Sequence, residues 1–230
     1  MKITNFFISL QQNQFIIKKR YNMKRLSLAI ILACCTLVLA AQESIRVNYK
    51  GASPTISDLA WAFLSDYVYD ENEDVLDEAR SGAKYVWTLY RKGEPLPEGA
   101  TITVDQRNGY ACYESKDENW LVRIEMCYWN EADKKHKLFA YNVTCFDNGI
   151  HSPGQFDGLL FYRYNNATKT MTPYEAIGFD TRYGTDDGDG VAYISYDLPR
   201  TGKDIIENIW YESGKQQNIL KWNGRRFAYE

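Results

Sequence analysis

The chain has 230 residues, with 27 basic and 30 acidic side chains and a formal net charge of −3. The basic residues are unevenly spread: Lys2, Lys18, Lys19, Arg20, Lys24 and Arg25 lie in the first 41 positions, which hold no acidic residue. From Gln42 onward, 21 basic residues therefore face 30 acidic ones, a net charge of −9. So acidic a segment is a poor partner for phosphate backbones, which need a surplus of Lys and Arg, and this argues against nucleic acid and anionic membrane surfaces.

The N-terminal region reads as an address. Residues 1–22 mix an apolar start, a polar QQNQ run and a basic KKR, and read as an extension ahead of a true start at Met23; the rival reading is one long basic leader. Residues 23–41 have the order of a signal peptide. Lys24 and Arg25 are followed by an apolar run from Leu26 to Leu39, and Ala40 and Ala41 precede Gln42. The run from Leu26 to Ala41 is 16 residues long, short of the roughly 20 a bilayer core requires, so no transmembrane segment is expected after cleavage. The expected location is secreted or periplasmic. Ile31-Leu32-Ala33-Cys34 resembles a lipobox, which makes a lipoprotein acylated at Cys34 the alternative, although the chain stays apolar after Cys34. Residues 42–230 then form a single globular domain, long enough for a sizeable core. That domain keeps three cysteines, Cys112, Cys127 and Cys145, with no CxxC spacing. One disulfide or three small buried core residues both fit.

Within the domain, Ile45, Val47 and Tyr49 alternate as in a strand. Ser53-Pro54 predicts a helix start, and Ile56, Leu59, Ala60, Phe63, Leu64 and Tyr67 follow at helical spacing. After the acidic run from Asp70 to Asp74, a second helix is expected to about Arg91, ended by Pro95 and Pro97. From Ala100 the period becomes two. Strands are predicted on both sides of Asn108-Gly109, over 119–129, 136–146, 158–164, 169–174, 191–198, 204–211, 218–222 and 225–229. Short turns between them imply antiparallel pairing. The expected fold is α+β: two N-terminal helices with a large, dominant antiparallel β-meander or barrel-like sheet.

Chemistry is sparse in the sequence. His136 lies among lysines in a turn; His151-Ser152 lies in a loop, and no GxSxG or HExxH motif accompanies it. Asp186, Asp187 and Asp189, with Gly188 and Gly190, resemble part of a calcium loop, but Leu198 stands where a closing acid belongs, so an acidic turn is expected there. No metal ligand set and no cofactor is expected. Asn142-Val143-Thr144 and Asn166-Ala167-Thr168 match glycosylation acceptors. Aromatic residues make up 15% of the chain. Neighbouring rings in a strand point to opposite faces, so Tyr128-Trp129 and Trp210-Tyr211 are expected to place one ring each on an outer face. There, Trp129, Tyr128, Trp210 and Tyr211 would stack on a glycan or anchor a protein partner in the envelope.

The signal ending Leu39-Ala40-Ala41-Gln42, the segment ASPTISDLAWAF (52–63), the stretch RIEMCYWNEADKKHKLFAYN (123–142) and the C-terminal LPRTGKDI (198–205) and LKWNGRRF (220–227) resemble a group of uncharacterised exported proteins of Bacteroidota. The resemblance spans most of the domain and implies export in a diderm bacterium; it carries no activity and no site residue. The functional expectation is an exported, non-enzymatic binding or envelope-associated domain. The alternative is a small secreted hydrolase acting on glycans or peptides.

Overall fold

Short runs rich in β-branched and aromatic residues, bounded by turns, make strands of most of the domain. The computed structural model describes residues 44–66, 76–152, 158–179, 184–186, 191–211 and 214–230. The signal segment, the acidic run 70–74 and most of the calcium-like loop lie outside the described residues.

In chain order, β1 (Ile45–Arg46) is followed by α1 (Ile56–Ser65) and α2 (Leu76–Lys92). Then come β2 (Ala100–Asp105), β3 (Tyr110–Asp117), β4 (Trp120–Asn130), β5 (His136–Asp147), β6 (Ile150–His151), β7 (Gly158–Asn165) and β8 (Thr170–Pro173). The last five are β9 (Gly184–Asp186), β10 (Val191–Asp197), β11 (Ile205–Tyr211), β12 (Gly214–Trp222) and β13 (Phe227–Tyr229). The helices therefore lie inside the chain, after a strand, and not at the N-terminus of the fold.

Helix α1 starts two residues later than Ser53-Pro54 predicts. Thr55 is its cap: Asp58 N–H donates to Thr55 Oγ1 and Thr55 N–H donates back to the Asp58 carboxylate, so two otherwise orphaned donors are satisfied. Helix α2 carries Arg91 and Lys92 in its last turn, where cations complement the helix dipole. It stops at Gly93, whose φ of +70° a side chain would disfavour.

The strands form two antiparallel sheets. The first is a large curled sheet, a half-barrel, ordered β1-β8-β7-β5-β4-β3-β2 with β6 beside β5. Because β1 and β2 sit at opposite edges, the chain between them, which carries both helices, runs from one edge to the other. The second sheet is the meander β13-β12-β11-β10-β9. Two cores result from the pleat. On one face of the first sheet, Ile124, Met126, Phe139, Tyr141 and Val143 meet Ile56, Leu59, Phe63, Val86 and Trp87 of the helices. On the other face, Cys127, Trp129, Leu138, Ala140 and Phe161 meet Ile194, Tyr196, Ile205, Leu220 and Phe227 of the second sheet. The first sheet is thus covered on both faces. Among the described residues, no helix is long and apolar enough to cross a membrane.

Candidate functional site

Strand β4 presents Arg123, Glu125, Cys127 and Trp129 to the second sheet, since alternate residues share a face. Glu125 is 5% exposed and lies directly across from Asn142 on β5. Its carboxylate accepts from the Tyr110 hydroxyl at 2.8 Å, from Asn142 Nδ2 at 3.3 Å and from the Leu198 backbone N–H at 3.3 Å. Asn142 Nδ2 also donates to the Tyr196 carbonyl at 2.7 Å. The pair therefore ties the first sheet to the end of β10.

Burial dominates the electrostatics here. Desolvation pushes Glu125 up to about 7, and Asp197 adds to the rise; the bonds from Tyr110 and Leu198 and the charge of Arg123 act against it. Desolvation also raises the Tyr110 phenol, helped by the Glu125 charge. The Cys112 thiol is pushed up to about 12 by burial first. A thiol so placed stays protonated and is a weak nucleophile. Arg123 is held by Glu114, with Nε 2.8 Å from Oε1.

Two residues further along β4, the cleft opens. A pocket of about 170 Å³ is lined by Arg107 and Asn108 of the β2–β3 turn, Cys127 to Asn130 of β4, Pro199, Gly202 and Lys203 of the β10–β11 loop, and Trp222 of β12. Its lining holds two cations and no carboxylate. Local bonds set the shape. Asp105 accepts from Asn108 Nδ2 at 2.8 Å and from the Asn108 backbone N–H at 3.1 Å, which orders the turn and lowers the Asp105 carboxyl. Trp129 Nε1 donates to the Lys203 carbonyl at 2.8 Å and pins the loop from the other side. Leu198, held by Glu125, immediately precedes this loop. The buried network and the pocket are therefore parts of one arrangement.

The structure disperses the four aromatic residues picked from the sequence. Trp129 is not on an outer face: it is 4% exposed, packed against Phe161, Trp222 and Phe227. Both faces of its sheet are covered, so alternation does not bring a ring to solvent. Tyr128, half-buried, faces the helix side, with Lys137 Nζ 4.3 Å from its ring centre. Trp129 and Tyr128 nevertheless share the pocket lining. Trp210 is half-buried on the second sheet, stacked on His151 at 5.5 Å and bonded through Nε1 to Ser195 Oγ. Tyr211 packs beside the core between the sheets. Neither Trp210 nor Tyr211 lines this pocket. Arg107, Asn108, Glu125, Asn130 and Lys203 were not picked from the sequence; Asn108-Gly109 signalled a turn, but nothing in the order of residues told that it faces 199–203.

Other clusters carry less. Among the described residues, Glu131, Asp133 and His136 bring ligand atoms within 4.8 Å of one another. Arg163 already neutralises them, with bonds of 2.7 and 2.6 Å to Glu131 and an approach of 3.6 Å to Asp133. His136 Nδ1 lies 2.6 Å from Asp133, whose carboxyl it holds down near 2, so this histidine closes the β4–β5 turn. His151 is not a loop residue; it is buried in β6. Asn142 is 1% exposed and cannot accept a glycan, whereas Asn166 is exposed in the β7–β8 turn. No disulfide joins Cys112, Cys127 and Cys145 in this structure.

No protein-family model matches the chain, and neither a curated protein nor a solved structure matches it.

Proposed function

We propose that the chain is an exported, non-enzymatic binding or envelope-associated domain, and that it takes its ligand in the pocket at the mouth of the cleft between the sheets. One observation carries this reading. A small concave site is backed by the edges of two largely buried indoles, ringed by amides and cations, and held on both sides by internal hydrogen bonds, so a few polar groups converge on a preformed hollow. Export rests on the order of residues 23–41, with secretion or the periplasm as destination. A glycan or another protein of the envelope is the natural source of the ligand, as a free sugar or at a chain end.

Trp129 and Trp222 line the pocket, so their fluorescence reports occupancy. Titrating the full chain with neutral and acidic sugars should give saturable quenching, with the sugar recovered unchanged by mass spectrometry. Absence of saturation across the panel would remove this pocket as the binding site. A second reading, the secreted hydrolase, draws on Glu125, a buried carboxyl that keeps its proton near neutral pH as a general acid must. Recovery of cleaved product, lost in Glu125→Gln, would favour it.

A further inference from the structure

The donors and acceptors left over in the pocket define a ligand more narrowly than "a small molecule". This step rests on the pocket being the binding site. Asn108 spends its Nδ2 on Asp105, so what it offers inward is its carbonyl oxygen, an acceptor for a hydroxyl. Asn130 is the complement. Its Oδ1 accepts from the Lys137 ammonium at 2.6 Å on the Tyr128 side of β4, so only N–H donors are left at this end of the rim. Lys137 is buried, which holds that amide in one orientation. Arg107, on the β2–β3 turn, and Lys203, on the β10–β11 loop, both line it. A guanidinium pairs a carboxylate through two parallel bonds, and an ammonium adds a point charge. With no acid in the lining, a ligand's own negative charge is the one that these cations meet. The surrounding domain carries −9 from Gln42 onward, so this spot is a local reversal of sign.

We infer that the pocket between Arg107 and Lys203 binds a small hydroxylated carboxylate of the sugar-acid class. The carboxylate lies between the two cations. One hydroxyl donates to Asn108 Oδ1, the acceptor that the Asp105 bond leaves open. About 170 Å³ is room for about one sugar ring.

Isothermal titration of the full chain with glucuronate, glucose and acetate tests this. Glucuronate has both the charge and the hydroxyls, glucose lacks the charge, and acetate lacks the hydroxyls. Glucuronate should bind roughly tenfold or more tighter than either, the difference expected for one charge-assisted contact. Rising salt should weaken only the acids. Arg107→Ala should weaken glucuronate by a similar factor and leave glucose unchanged, and Arg107→Lys should recover part of the loss. Arg107 is exposed, so folding is not at stake. Equal binding of glucose and glucuronate, with the tryptophan response intact, would overturn the sugar-acid assignment and leave the pocket as the site. An Arg107→Ala variant that binds glucuronate like the parent would also overturn it. No binding of any of the three would overturn the assignment and the site together.

Discussion

Glu125 is the residue at which burial and charge compete most directly. In the fold its carboxyl holds a proton up to about pH 7, whereas in the unfolded chain it ionises near 4.5. The folded state therefore binds the extra proton between those values, and its advantage is complete below pH 4.5 and lost as pH rises through 7. The gap corresponds to about 3 kcal/mol. Urea unfolding at pH 4.5 and pH 7.5 should show the parent less stable at the higher value, and Glu125→Gln, which cannot ionise, should flatten that slope. Equal slopes in the two proteins would mean that Glu125 is not its source. Asp133 acts in a separate window: its carboxyl is held near 2 by His136, so its contribution is present above about 3.8 and fades only as pH falls below that. Trp129 is the other decisive residue. A sequence reading makes it a solvent-facing platform, and Trp129→Ala a clean binding test. Buried as it is, that truncation should instead cost about 3–5 kcal/mol of folding stability, as large-to-small core changes do. A melt unchanged by the substitution would contradict its packing.

Element by element, the sequence carried the strands and helices well, because each has one dominant period. Residues 136–146, read as alternating, form β5 over His136–Asp147, and the helix expected from about Asp74 to Arg91 is Leu76–Lys92. Three things were not legible. The two-residue strand β6 is too short to show a period. The pairing of β1 with β8 joins residues more than a hundred positions apart. The division into two sheets leaves no mark, because β4 and β5 are apolar on both faces and alternation cannot tell an outer face from a second interior. For the same reason the aromatic pairs were misleading while the turn was informative. Asn108-Gly109 marks the β2–β3 hairpin, but Asp105 and Tyr110 are the last pair, so the loop has four residues and swings Arg107 and Asn108 over the pocket. Gly109 has φ +69°, and a Cβ there would come within 2.8 Å of the Tyr128 ring. Gly109→Ala should cost about 1–3 kcal/mol, from strain and the displaced ring together. Gly82 gives the opposite sign. It is exposed in the middle of α2 with nothing near its missing Cβ, so Gly82→Ala should stabilise the protein by up to about 1 kcal/mol. Thermal melts of the two variants should move in opposite directions.

At the scale of the molecule, stability comes from two cores laid on opposite faces of one sheet, with no covalent tie between them. No disulfide joins the described cysteines, which are spread over β3, β4 and β5. They are also divided between faces and strands in a way that serves packing: Cys127 lies in the core between the sheets, and Cys112 packs against it. A chain proposed for export would meet oxidants, so the absence of a bridge among these three is a property that the fold must maintain. Burial does this. Cys127 and Cys145 are closed to solvent, and burial raises the thiols of Cys112 and Cys127, so that little reactive thiolate forms. A native disulfide typically contributes about 2–4 kcal/mol, which in a protein of this size moves the melting midpoint by about 5 °C or more. Melting the domain with and without a reductant should therefore give the same midpoint, and a thiol reagent should label all three cysteines only after the protein is unfolded. A midpoint that falls by several degrees in the reductant would reveal a bridge. Rapid labelling of Cys127 in the folded protein would show instead that the second sheet leaves the first readily, and with it the loop from 199 to 203 that walls the pocket.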